Sequence, residues 1–253
     1  MKALSEPQIS PIPQIGAEAR RSSEAKPGDR AQNSIRDVLG ALKHTYADEI
    51  WHWMPERARP VDVIVGAILV QHTTWTNAER ALKSLRDAGA LDVGALASMP
   101  EAEIAALVRV SGTPSVKAQR LRATAEMIEG AGGLDAFLAL QLEAMRPPLL
   151  GTHGIGPETA DAIALYAAGR RTFVIDAYTR RVFGRLGLEP APPAGYAAWQ
   201  RFFEDALPDD DAEAFQRYHG HIVLHAKALC RVKPKCAPCP LLPRCPHGRA
   251  TTT

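Results

Sequence analysis

The 253-residue chain has 46% hydrophobic residues and sets 30 Lys and Arg against 28 Asp and Glu, a formal net charge of +2. That length fills one large or two small domains. No apolar run approaches the roughly 18–20 residues needed to cross a bilayer, which excludes a membrane-spanning class. The first residues lack a continuous apolar core of the secretory type, so a cytoplasmic protein is expected. The net charge does not mark a partner, but its distribution points to one. From Cys230 onward there is no Asp or Glu, while Arg231, Lys233, Lys235, Arg244 and Arg249 fall there. A second basic cluster is Arg170, Arg171, Arg180, Arg181 and Arg185, and acids gather between Glu204 and Glu213. Such asymmetry suits one face turned to a polyanion, and equally an ordinary solvated surface.

In chain order, residues 1–33 are rich in Pro, Ser, Glu, Arg and Gln without an apolar period and read as a disordered tail. A helix is expected after Ser34, with Ile35, Val38, Leu39 and Leu42 on one face. The apolar stretch Val61–Gln71 fits a buried strand or a central helix by periodicity, and its length favours the helix. Helical patterns follow at 77–85, 101–110, 116–128, 134–144, 157–168, 177–186, 196–203 and 212–230. Ser111-Gly112, Gly130–Gly133, Pro147-Pro148 and Gly169 punctuate them. Period-two alternation is nowhere sustained, so the fold class is all-α.

Leu149–Asp161 reads as helix end, tight turn and helix start, with Gly154 and Gly156 supplying positive φ or a close backbone approach and Pro157 at the first helical position. The turn His153-Gly154-Ile155-Gly156 offers main-chain N–H groups to a phosphate oxygen, or is simply a glycine-rich connection. Asp176 follows a short apolar run and precedes a helix. It is a helix N-cap, a carboxylate poised near a cation forming at a sugar C1′, or both. All four cysteines, Cys230, Cys236, Cys239 and Cys245, fall within sixteen residues as C-x5-C-x2-C-x5-C. Disulfides are not expected of so crowded a set in a cytoplasmic chain. Four thiolates from one segment suit one metal centre, zinc or a [4Fe–4S] cluster. The single C-x2-C pair with wider flanking gaps favours iron–sulfur.

These segments, GIGPETADAI at 154–163, VIDAYTRRV at 174–182 and the cysteine loop, in this order resemble the endonuclease III (helix-hairpin-helix) DNA glycosylase superfamily. The first cysteine gap is one residue shorter than in typical endonuclease III. ILVQHTTW at 68–75, FQRYHGHIV at 215–223, HAKALC at 225–230 and KPKC at 233–236 resemble the endonuclease III-related branch, close to the 3-methyladenine glycosylases. The resemblance spans roughly residues 34–246.

It implies two helical domains with a DNA cleft between them: a helical barrel carrying the hairpin (61–168), and C-terminal helices with a [4Fe–4S] loop (169–246) joined by the N-terminal helix (34–60). Residues 247–253 are left as a tail. The implied partner is double-stranded DNA with a damaged base, bound by a monomer of the nucleoid. Asp176 is the implied catalytic carboxylate, Gln71 the residue that fills the space of an extruded base, and Thr113, His153–Gly156, Arg180 and Arg181 the DNA contacts. Two departures are visible. Glu158 stands where bifunctional members carry a Schiff-base lysine, which implies hydrolytic chemistry with weak or no lyase activity. Thr113-Pro114 stands where a bulky apolar wedge is usual. Alkylated purines are one expected substrate class, held by aromatic residues among Trp51, Trp53, Trp75, Tyr166 and Tyr178 unless these are core. Oxidised pyrimidines are the other class. A damage-binding protein without activity and a zinc-stabilised nucleic-acid module are the rival readings.

Overall fold

The computed structural model describes residues 27–49, 51–52 and 58–252, with side chains from residue 34 onward. The aromatic candidate Trp53 and most of the segment read as a tail lie outside the described residues. Every regular element among the described residues is helical, as the periodicity predicts.

The helices are α1 (Pro27–Thr45), α2 (Pro60–Leu69), α3 (Trp75–Asp87), α4 (Val93–Ser98), α5 (Glu101–Leu107), α6 (Pro114–Gly130), α7 (Leu134–Ala139), α8 (Leu142–Gly151), α9 (Pro157–Ala162), α10 (Ala177–Leu186), α11 (Tyr196–Ala206), α12 (Ala212–Ala228) and α13 (Pro246–Thr252). None is long and apolar enough to cross a membrane. Four expectations are corrected. Helix α1 begins at Pro27, inside the segment read as a tail. Residues 246–252 form α13, not a tail. Pro147 and Pro148 lie inside α8, where burial of Met145 and Leu149 holds a turn that lacks two backbone donors. The short α4, whose Asp92 N-cap accepts from Ala95 N–H, has no counterpart among the predicted helices.

The chain divides into two compact units. Unit 1 comprises Met1–Ile50, Ile175–Asp209 and Arg217–Thr253. Its α1 buries Ile35, Val38, Leu39 and Leu42 along one stripe and packs on α11. Phe183 and Phe203 meet edge to face with centroids 4.7 Å apart. Unit 2 comprises Trp51–Val174 and Asp210–Gln216. Residues 51–52, 58–60 and 169–174 therefore group with the hairpin-bearing helices. The centre of unit 2 is α2, buried from Val63 to Leu69 and packed on α3, α6, α9 and a π-helical turn at Ile163–Ala167. A helix with no polar face needs neighbours all round, which resolves the strand-or-helix ambiguity.

Candidate functional site

In unit 1, Asp176 both caps a helix and offers a carboxylate. Extended backbone precedes it, and its Oδ1 accepts the Thr179 N–H at 2.6 Å, starting α10. Its Oδ2 lies 3.5 Å from Nε2 of the buried His219 on α12. Burial alone would raise the Asp176 carboxyl. The His219 ring and the Thr179 N–H and hydroxyl outweigh that and hold it below the ordinary carboxylate value. An ionised carboxylate only 8% exposed thus sits on a rigid helix start. Lys227, whose ammonium lies 5.9 Å from the Tyr178 ring centroid, is also within electrostatic range of Asp176. His219 and Lys227 escaped sequence reading, because nothing local marks which residue of α12 returns to position 176.

The arginines of α10 are engaged within unit 1. The Arg180 guanidinium covers the Trp199 ring at 5.3 Å. Arg181, expected on DNA, donates to the Cys230 carbonyl at 2.9 Å and lies over Tyr178. It braces the cysteine loop against α10. Arg185 extends that brace, donating to Cys230 Sγ at 3.3 Å and to the carbonyls of Arg231 and Val232.

The four cysteines line one hollow, shared with apolar residues such as Val182, Leu229 and Leu241. Among the described residues no Cys, His, Asp or Glu groups close around a single ion. Each sulfur has a hydrogen-bonding neighbour. Arg185 serves Cys230, the Thr251 hydroxyl serves Cys236 at 3.4 Å, and the Gly248 N–H serves Cys245 at 3.2 Å. The His225 Nε2 faces Cys239 at 3.7 Å. A side chain on Gly248 would press on Leu242 and Cys245, so glycine is what permits that N–H approach. Four thiols around one apolar hollow, three with a hydrogen-bond donor in reach and the fourth facing a histidine nitrogen, are a donor set suited to a thiolate-ligated metal centre.

In unit 2, the hairpin joins α8 to α9 through Thr152–Gly156. Gly154 has φ +80°, and a side chain there would collide with Arg120. Gly156 is extended at φ −90°, so of the two roles expected of it the close backbone approach is the one its geometry leaves open. A Cβ there would meet nothing within 4 Å, so its backbone is open to a ligand. Ile155 is buried, and His153, Gly156 and Glu158 are exposed. Glu158 occupies the first turn of α9, where a carboxylate suits the helix dipole.

Gln71 is fastened inside unit 2. Its Nε2 donates to the Gly154 carbonyl at 3.3 Å and to Thr159 Oγ1 at 3.0 Å, and its Oε1 accepts from Arg120 at 2.5 Å. Thr113 is exposed, left-handed at φ 42°, and caps α6 ahead of Pro114. Lys117 is 1% exposed and donates to the Leu69 carbonyl at 2.7 Å and to the Ser111 carbonyl. Burial, and then the Arg120 charge, pushes its amine down to about 8. Neither Lys117 nor Arg120 was predicted. The available signal was a lysine on the α6 face that otherwise buries Ala118, Leu121, Thr124, Ala125 and Ile128. Among the aromatic candidates, Trp51 and Tyr166 are core, the Tyr166 hydroxyl donating to the Gln216 carbonyl at 2.9 Å. His52 stacks on Trp75 with centroids 3.7 Å apart and meets Trp51 tilted at 3.8 Å.

Residues 65–207 match the HhH-GPD superfamily of base excision DNA repair proteins. The chain is 38% identical over 197 residues to a Methanocaldococcus jannaschii protein described as a DNA repair glycosylase, covering 77% of this chain and 88% of that one. The fold resembles Helicobacter pylori 3-methyladenine DNA glycosylase bound to 1,N6-ethenoadenine, with TM-score 0.66, 26% identity and coverage of 76% and 96%. It also resembles an endonuclease III–DNA covalent intermediate, with TM-score 0.73, 17% identity and coverage of 88% and 99%. The chain belongs to the HhH-GPD superfamily of base excision repair DNA glycosylases, endonuclease III-like in fold.

Proposed function

We propose that this glycosylase hydrolyses the N-glycosidic bond of a damaged base in double-stranded DNA, acts as a monomer, and does so without a covalent amine intermediate. The observation that carries this reading is the buried, ionised Asp176 beside His219, together with a glutamate at position 158. A base in a duplex must first be extruded. The hairpin amides around Gly154–Gly156 grip a phosphate, and Gln71 enters the space the base leaves. As the C1′–N bond breaks, its electron pair departs with the base and positive charge grows on the sugar. The Asp176 carboxylate faces that charge, and fixed opposite charge is the strongest such aid in a water-poor site. It also orients a water whose oxygen bonds to C1′. The water's proton passes to Asp176 and leaves with solvent or the base. A carboxylate at 158 cannot form the imine that β-elimination requires.

An alkylated purine is the substrate class this reading favours. Its positive charge weakens the bond to be broken, and a cationic ring gains from an aromatic face. Two observations support it: the part-buried His52 and Trp75 rings stacked in unit 2, and the likeness to a glycosylase holding an ethenoadenine. Cys230, Cys236, Cys239 and Cys245 are the residues that would hold a [4Fe–4S] cluster. When bound, such a cluster supplies a covalent cross-link of the loop and a one-electron centre. Arg181 and Arg185 hold the loop in the shape that receives it.

A single-turnover assay on duplexes containing 3-methyladenine, 1,N6-ethenoadenine or thymine glycol tests the proposal. Release of an alkylated purine, with the strand left intact until heated in alkali, is expected. An enzyme–DNA adduct trapped by borohydride would overturn the hydrolytic mechanism.

A further inference from the structure

We infer that Lys117 and Arg120 form an internal clamp that shapes three turns of unit 2, making them positioning residues for the capture of an extruded nucleotide. The inference rests on the glycosylase reading above. The first observation is an amine with no surface role. Lys117 is 1% exposed, and its Nζ donates to the carbonyls of Leu69 and Ser111. Leu69 ends α2 and Ser111 ends the 3-10 turn Arg109–Ser111. Helix C-termini carry partial negative charge on orphan carbonyls. Two such ends meeting on one ammonium supply the compensation that a buried cation needs. A desolvated lysine is a costly way to hold a core together, since an apolar side chain of similar size packs as well. What it does that an apolar residue cannot is tie two chain ends by direction-specific bonds.

The second observation is where those ends lead. His72 (φ 55°) and Thr113 (φ 42°) are the non-glycine residues with positive φ among the described residues. One lies just past the Leu69 carbonyl and the other just past the Ser111 carbonyl. A left-handed threonine is strained, and such strain persists only where the surroundings over-determine it. One helical turn along α6, Arg120 donates to Gln71 Oε1, which turns the amide so that Nε2 reaches Gly154 and Thr159. The Arg120 stem fills the space that a Cβ on Gly154 would need. A single face of α6 thereby fixes the turn after α2, the turn before α6 and the hairpin. The proposed function puts nucleic acid at the hairpin and at Gln71 in the turn after α2, and the family resemblance implies a DNA contact at Thr113 in the turn before α6.

The test uses the full-length protein and two otherwise identical duplexes, one undamaged and one carrying a tetrahydrofuran abasic-site analogue. Lys117→Met keeps the length of the stem and removes its donors. Affinity for the analogue duplex is expected to fall about tenfold. Affinity for the undamaged duplex, set by phosphate contacts, is expected to stay within about twofold. Arg120→Met, at the partly exposed end of the clamp, is expected to narrow the discrimination in the same direction, and it keeps the question open to test if Lys117→Met does not fold. Equal losses on both duplexes with a lowered Tm would mean a merely structural role and overturn the clamp. So would an Arg120→Met protein that discriminates as well as wild type. A wild-type protein that binds both duplexes alike would overturn the glycosylase reading itself, and the clamp with it.

Discussion

The carboxylate in unit 1 and the turns in unit 2 are built on opposite plans. Asp176 is fixed chiefly by its own neighbourhood, through a bond to the N–H three residues ahead, and only His219 comes from afar. The turns of unit 2 are fixed by side chains distant in sequence: Gln71 to the hairpin across 83 residues, Arg120 to Gln71 across 49 and Lys117 to Leu69 across 48. A charge that must sit still gains from a helix start, whose geometry is set by a few residues. Loops that must agree in shape need cross-links between them, because loops are otherwise the least constrained parts of a fold. Chemistry and grip are thus expected to fail separately.

The largest expected effect tests that separation directly. Asp176→Asn keeps a cap acceptor but removes the charge, so single-turnover base release should fall by about 10²–10³-fold while DNA affinity stays near wild type. A parallel loss of affinity would merge the two regions into one. Next, Cys239→Ser should abolish the brown absorbance of an iron–sulfur cluster and lower Tm by roughly 10 °C. Thermal melting with absorbance readout checks both. A colourless wild-type protein containing zinc would break the cluster reading instead. Gln71→Ala should cost about tenfold in affinity for the abasic-analogue duplex and leave base release from a preformed complex nearly unchanged.

The smallest expected effect is in the pH profile. Asp176 is held below the ordinary carboxylate value by His219 and Thr179 against the upward push of burial. The stability its ionised form contributes is therefore complete above the unfolded carboxylate value, about 3.9, and is lost as pH falls through the lower folded value. Base release should follow the same acid limb. In His219→Asn the upward push of burial gains ground, so the limb should move to higher pH. A limb that does not move would assign the ionisation to another group.

The legible parts share one property. The α1 stripe of Ile35, Val38, Leu39 and Leu42, the Asp176 cap, the tight turn at Gly154 and the crowding of four cysteines are all set by residues within a few positions of one another. Illegible were which of its two expected roles Gly156 would take, settled by its extended backbone, and Pro147-Pro148, helical because Met145 and Leu149 are buried beneath them. Illegible too was the bond from Arg181, expected on DNA, to the Cys230 carbonyl 49 residues away.

The amino-acid sequence by itself determined that the chain is helical, where its hairpin turns, which carboxylate can work at a helix start and which thiols can meet one metal centre. Helical period, turn chemistry and ligand spacing are properties of short segments. Only the tertiary structure decided that a lysine would be buried between two helix ends, that an arginine would hold Gln71, and that a histidine from α12 would face Asp176. Those pairings follow from how helices pack, and no local pattern records which distant side chain a packed helix will bring to a given atom.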